Sequence, residues 1–202
     1  MKISKKAFLD YQTCPSKAQL TLNQPKQKLT ESESFRIQQG REIEALAQGR
    51  FYGGIKIQGE SFSETCIKTA TTLKLLPYAT LFEASFETDN FRARADILVP
   101  EELGYHLIEV KSKTNATKNV RQLHADAAYT TLVLQQSGLP VTKVSVWIIS
   151  KDYRLGMPTS SLFTEWDVTA ESLALIESWS LELDAIISAC QNGFPAAAGE
   201  RC

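Results

Sequence analysis

Between Phe91 and Lys113 the hydrophobic and polar positions alternate in two runs, Phe-Arg-Ala-Arg-Ala-Asp-Ile-Leu-Val-Pro and Tyr-His-Leu-Ile-Glu-Val-Lys-Ser-Lys. A period of two predicts β-strands, and Pro100, two glutamates and Gly104 between the runs predict a hairpin connection. Thr80 to Glu87 alternates in the same way, and the Asp89-Asn90 turn signal joins it to the pair as a three-strand meander. Helical spacing surrounds the meander. Ser4 is a candidate N-cap for a helix within residues 3–22 that Cys14-Pro15 interrupts. Thr30 to Glu33 has the form of a capping box, opening a helix through Gln48 with Phe35, Ile37, Ile43, Leu46 and Ala47 near one face. A further helix from Ser61 to Leu76 stops at Pro77, and Asn119 to Gln136 forms another before Gly138 and Pro140. Lys143 to Ser150 is apolar enough for a strand inside a sheet, so the helix before it reads as a crossover. Residues 151–168 read as loop with a short strand around Phe163, and Thr169 to Cys190 as one final amphipathic helix.

Length and charge narrow this picture. A chain of 202 residues with 43% hydrophobic and 22% charged content suits one soluble domain. Its parts read as an N-terminal helical section (1–77), a sheet core with crossover helix (78–168) and a C-terminal helix and tail (169–202). A net charge of -1 excludes a protein that coats nucleic acid by bulk charge, which leaves local clusters such as Lys111, Lys113, Lys118 and Arg121. The polar segment after Met-Lys-Ile-Ser-Lys-Lys is no apolar leader and no run reaches membrane-span length, so a cytoplasmic location is expected. Cysteines 14, 66, 190 and 202 contain no Cys-x-x-Cys, which argues against a zinc ribbon or a compact disulfide framework; Cys66 reads as a small core residue. His106 and His124 have no partners for a hydrolase triad, and no glycine-rich loop supports nucleotide hydrolysis.

The strands carry the chemistry. Successive strand residues face opposite ways, so Glu109 and Lys111 share one face while Ile108 and Val110 take the other. Asp96 occupies the corresponding place on the preceding strand, with Ala95 and Ile97 pointing away, and pairing brings it toward Glu109 and Lys111. Two carboxylates and a lysine supply what metal-assisted phosphodiester hydrolysis requires: Asp96 and Glu109, with the Val110 carbonyl, offer oxygen ligands to Mg²⁺ or Mn²⁺. Lys111 orients or activates the attacking water, or offsets charge in the transition state. The plainer reading of the same spacing is an ordinary solvated strand pair. Glu44 flanks the apolar stripe of its helix and leans over an adjoining cleft, and Gly40 one turn earlier points to close packing or to close approach of a ligand.

Several segments, in order, resemble a known family: Ser4-Lys5, Tyr11 to Pro15, Gly40 to Glu44, Arg94-Ala-Asp96-Ile-Leu, Ile108-Glu-Val-Lys-Ser112, and Asp126 to Leu134 followed by Gly138-Leu139. With the order helix, meander, helix, strand, the chain is similar to the RecB-like branch of the PD-(D/E)xK nucleases, close to the CRISPR adaptation exonucleases and related bacterial proteins. The resemblance implies an α/β (α+β) fold with a central mixed sheet flanked by helices. It implies Glu44, Asp96 and Glu109 as metal ligands, Glu44 standing at the family's histidine, and Lys111 as catalytic lysine. Arg94, Lys113, Lys118 and Arg121 are the expected nucleic-acid contacts. The implied activity is metal-dependent DNA hydrolysis at ends or single strands, with a protein partner in a DNA-processing or defence system. The alternative is a catalytically weak scaffold binding nucleic acid or a partner. Thr130 and Leu132 replace the family's Gln and Tyr, with Asp126 and Tyr129 nearby. Relatives carry a 4Fe–4S cluster on one N-terminal and three C-terminal cysteines; Cys14 matches the first and Cys202 the start of the second group. A cluster is therefore expected only where the natural chain continues past Cys202.

Overall fold

A computed structural model of the chain describes residues 2–23, 28–114 and 120–192. In chain order the elements are β1 (Ile3–Ser4), α1 (Lys5–Thr13), α2 (Pro15–Asn23), α3 (Glu31–Gln48), β2 (Ile55–Lys56), α4 (Phe62–Leu75), β3 (Leu81–Glu87), β4 (Phe91–Glu101), β5 (Gly104–Lys111), α5 (Val120–Gln136), β6 (Val141–Ile149), β7 (Phe163–Asp167), α6 (Thr169–Ser180) and α7 (Leu183–Asn192). The caps behave as the sequence predicts: Ser4 accepts from the Ala7 amide, Thr30 and Glu33 form the capping box, and Ser61 accepts from the Glu64 amide. Among the described residues, no helix is long and apolar enough to cross a membrane.

The fold is α/β, a central mixed sheet flanked by helices. Strands β3, β4 and β5 form the expected antiparallel meander, β6 lies parallel to β5 after the α5 crossover, and β7 closes that edge. Gly104 is required where the hairpin meets β6, because a Cβ there would stand 2.6 Å from the Pro140 carbonyl oxygen. The sheet also takes two short strands from the first 77 residues: β1 pairs parallel with β4 and β2 parallel with β3. Two residues are too few to show a period, which is why the hydrophobic pattern did not reveal them.

One core lies between the sheet and α1, α5, α6 and α7, and includes Phe8, Phe91, Tyr129, Trp179 and Ile186. A smaller one on the opposite face joins Ala47, Phe82, Ile97, Ile108, Val110, Trp147 and Phe163. The division corrects one expectation. Ala95 belongs to the first core and Ile97 to the second, so they do not share a face, and Ala84 and Phe82 part in the same way. The alternation breaks at Glu83, which has φ 57°, opposite Asp96; the register pairs neighbours on both sides and skips these two. A left-handed residue in mid-strand turns the following side chains over, much as a bulge does.

Two helices also differ from expectation. The final helix is broken after Ser180, where the Ser178 and Ser180 hydroxyls donate to the Leu175 and Glu177 carbonyls and so compete with the helical amides. On α3 only the C-terminal part, with Ile43 and Ala47, packs against the sheet; Phe35 is 59% exposed and Ile37 and Leu46 are also exposed. Cys66 is half-buried rather than in the core, whereas Cys190 is buried, and both are free thiols. Cys14 caps α1 at the break before α2, and Cys202 lies outside the described residues.

Asp10 fastens α1 to α2. Its carboxylate accepts from Thr21 at 2.6 Å and pairs with Lys6 and Lys17, both at 2.8 Å. Burial raises its pKa, but Lys17, Lys6 and Thr21 outweigh that and hold it at about 2. A depressed carboxylate contributes stability above its unfolded pKa of 3.8 and loses it as pH falls toward 2. Asp10→Asn is therefore expected to cost about 1 kcal/mol at neutral pH, solvent screening of the exposed lysines included. Acid unfolding followed by circular dichroism should lose part of its slope below pH 4.

Candidate active site

The meander and its crossover helix build the site. Glu109 on β5 points toward α1 and α5 and is only 1% exposed, so its charge needs partners. It has four contacts. Lys5, the first residue of α1, donates to both carboxylate oxygens at 3.0 and 3.1 Å, Lys111 donates to Oε2 at 3.1 Å, and the Thr130 hydroxyl donates to Oε1 at 2.6 Å. Burial alone would raise the Glu109 pKa; the two ammonium groups and the Thr130 hydroxyl reverse that and hold it low. Lys111 also pairs with Asp126 of α5 at 3.3 Å. Burial disfavours its charge, but Glu109, Asp96 and Asp126 outweigh this and keep the ammonium protonated.

Asp96, at the break in strand alternation, accepts a 2.8 Å hydrogen bond from the Val110 amide through Oδ2. Among the described residues this is its single hydrogen bond. Burial first, and the neighbouring Glu109 charge second, push its pKa up to about 7 against the opposing pull of Lys111 and Lys5. The carboxyl is short of positive charge.

Glu44 lies across a cleft of about 780 Å³ whose lining includes Gly40, Arg41, Lys56, Glu83 and Arg94. Burial and then Glu83 raise its pKa, while Lys111 and Lys56 pull it down. Gly40 packs against nothing: a Cβ there would meet no atom within 4 Å, so the residue opens the cleft. Glu83 pairs with Arg94 at 3.6 Å and Lys56 at 4.0 Å.

The expected residues are thus distributed unevenly. Asp96, Glu109 and Lys111 converge, and Val110 joins them through its amide. Glu44 lines the cleft, and the Lys111 and Glu109 charges are near enough to act on it. Among the described residues, no three His, Cys, Asp or Glu side chains stand close enough to form a metal-holding group. The basic cluster is dispersed rather than shared. Lys111 is turned inward by its carboxylates, Lys113 and Arg121 are exposed, and Arg121 lines a separate groove with Gln12, Lys17 and Trp179. Arg94 lies over the Phe62 ring, and Lys118 is outside the described residues.

Lys5 and Glu83 are additional members that the hydrophobic pattern did not single out. Nothing local marks Lys5, whose partner is 104 residues away. Asp126 and Thr130, one helical turn apart, face the site together, so the departure at Thr130 still supplies a hydrogen-bond donor. Leu132 and Tyr129 are core residues, and the Tyr129 hydroxyl donates to the Ile3 and Arg92 carbonyls. Thr130→Val is expected to lower stability by about 1–2 kcal/mol, read as a urea midpoint, because an ionised buried acceptor loses a donor.

No family model matches the sequence, and no curated protein does. Among solved structures, the chain is similar to an alkaline exonuclease (LHK-Exo) from Laribacter hongkongensis, at 14% identity and TM-score 0.46, with 95% of this chain and 92% of that chain covered. The same exonuclease in complex with dAMP gives 14% identity, TM-score 0.45 and the same coverage. SSO0001 follows at 13% identity and TM-score 0.28, covering 88% of this chain and 86% of that one.

Proposed function

We propose that this chain is a divalent-metal-dependent deoxyribonuclease of the RecB-like type that acts on DNA ends or single strands. The observation that carries the reading is the convergence of Asp96, Glu109 and Lys111 from two adjacent strands onto one partly buried site. The chemistry of the donors suits the ion, although among the described residues they do not stand together as a ready-made metal group. Asp96 and Glu109, with Glu44 across the cleft and the Val110 carbonyl, are all oxygen donors, the kind that Mg²⁺ and Mn²⁺ take, and Asp96 keeps an oxygen without a partner among the described residues. Such an ion supplies Lewis-acid stabilisation and a water activated at neutral pH.

The remaining work falls to this chain's own groups. Lys111, held protonated by three carboxylates, serves as a fixed cation opposite the charge that develops on the phosphate rather than as a base. Thr130 orients Glu109. Arg41, Lys56 and Arg94 line the cleft and receive flanking phosphates, while the exposed Lys113 and Arg121 contact the backbone farther out. A 4Fe–4S cluster enters the reading only where the natural chain continues past Cys202, which lies outside the described residues.

A scaffold that binds nucleic acid or a partner without cutting is the second reading, favoured by the full occupation of Glu109 by its own lysines and threonine. Calorimetric titration with Mn²⁺ separates the two. Binding in the micromolar to millimolar range, lost in Asp96→Asn, supports the nuclease; no heat of binding in the native chain favours the scaffold.

A further inference from the structure

Among the described residues, hydrogen bonds fill the acceptor positions of the Glu109 carboxylate. A carboxylate offers about four acceptor positions. Lys5 takes two, Lys111 one and Thr130 one. We propose that Lys5 occupies the position of a divalent cation on Glu109, so that metal loading requires its ammonium to leave the carboxylate. The inference rests on the nuclease reading above and adds a control to the same site.

Three observations select Lys5 as the group that moves. Thr130 is fully buried on α5 and is fixed by its helix. Lys111 is anchored a second time by Asp126. The Lys5 side chain, 27% exposed, pairs with Glu109 and stands on the first residue of a helix, where its four-carbon stem can swing into solvent. Its backbone, in contrast, is fixed. Ile3 pairs with Phe91 and accepts from the Tyr129 hydroxyl at 2.7 Å, and Phe8 seats α1 in the core. The ammonium is therefore delivered to Glu109 by the fold rather than by a loose tail.

Lone-pair count, not net charge, makes the two occupants exclusive. Asp96, Glu109, Asp126 and Glu44 against Lys5 and Lys111 leave room in charge for a divalent ion. A divalent cation held by Glu109 would need an oxygen that Lys5 now contacts, and it would repel the ammonium. Once displaced, the Lys5 ammonium would be free to pair with a phosphate near the site. Metal and phosphodiester would then reinforce each other's binding, as linked ligands must.

Calorimetric Mn²⁺ titration of the native chain, Lys5→Met and Lys5→Arg at one pH and ionic strength tests the exchange. Lys5→Met is expected to bind Mn²⁺ about tenfold more tightly than the native chain, and Lys5→Arg no more tightly. Thermal unfolding gives an independent readout. Without metal Lys5→Met should melt below the native chain, and with saturating Mn²⁺ it should show the larger upward shift. A lysine with a structural role alone would instead weaken the metal site on removal, so equal or weaker Mn²⁺ binding by a folded Lys5→Met overturns the exchange. If Lys5→Met does not fold, Lys5→Gln is read by the same criterion. Native binding with unchanged Lys5 variants overturns the exchange but leaves the nuclease reading standing; no binding by any of them overturns both.

Discussion

Lys111→Ala is expected to lower DNA cleavage by about 10²–10³-fold while leaving DNA affinity within a few-fold of the native chain. Its ammonium lies 3.1 Å from Glu109 and 3.3 Å from Asp126, in a site where burial amplifies its charge. Removing it takes away the fixed positive charge facing the developing phosphate charge. On the proposed reading, ground-state affinity would rest mainly on Arg41, Lys56 and Arg94, which line the cleft. Lys5 and Thr130 still satisfy Glu109 in the variant, so the protein should fold, and Mn²⁺ binding should persist. Single-turnover cleavage of end-labelled DNA, with binding followed by anisotropy, separates the two quantities. Equal losses of affinity and rate would place Lys111 in substrate binding instead.

Phe8→Ala is expected to cost about 3–5 kcal/mol of stability, the usual range for emptying a buried aromatic site. Phe8 is fully buried, with ring centroids 5.9 Å from Phe91, 5.0 Å from Tyr129 and 4.9 Å from Trp179. Four aromatic rings from α1, β4, α5 and α6 meet there, and a void among them cannot collapse without moving an element. The consequence reaches the site because Lys5 precedes Phe8 by one helical turn: loosening α1 releases the ammonium from Glu109. Urea unfolding monitored by tryptophan fluorescence measures the loss. A decrease below about 1 kcal/mol would mean that α1 is held mainly by the β1 pairing and the Asp10 cluster.

The meander was legible because most of its positions alternate and turn residues separate its strands, and with it the proximity of Asp96, Glu109 and Lys111. Capped helices were legible for a similar reason: Ser4, Thr30 and Ser61 announce their starts chemically. What escaped the pattern was set by tertiary contacts. The overturned alternation at Asp96 comes from the left-handed backbone of Glu83, a glutamate that no propensity rule assigns to φ 57°. Apolar spacing on α3 suggested a buried face, yet most of that helix stands away from the sheet. Lys5 was legible as part of a motif but not as a partner of Glu109, since no local signal encodes a contact over 104 residues. Thr130 read as the loss of an orienting side chain, and the structure instead gives its hydroxyl a 2.6 Å hydrogen bond to the carboxylate it faces.

End-labelled single-stranded and double-stranded DNA incubated with the native chain, in Mn²⁺ and in EDTA, provides the most direct test of a metal-dependent nuclease at Asp96, Glu109 and Lys111. Progressive shortening of the labelled strand in Mn²⁺, absent in EDTA and absent with Asp96→Asn, is the expected result. DNA that stays intact in every condition while bound to the protein would contradict it and leave a nucleic-acid-binding scaffold.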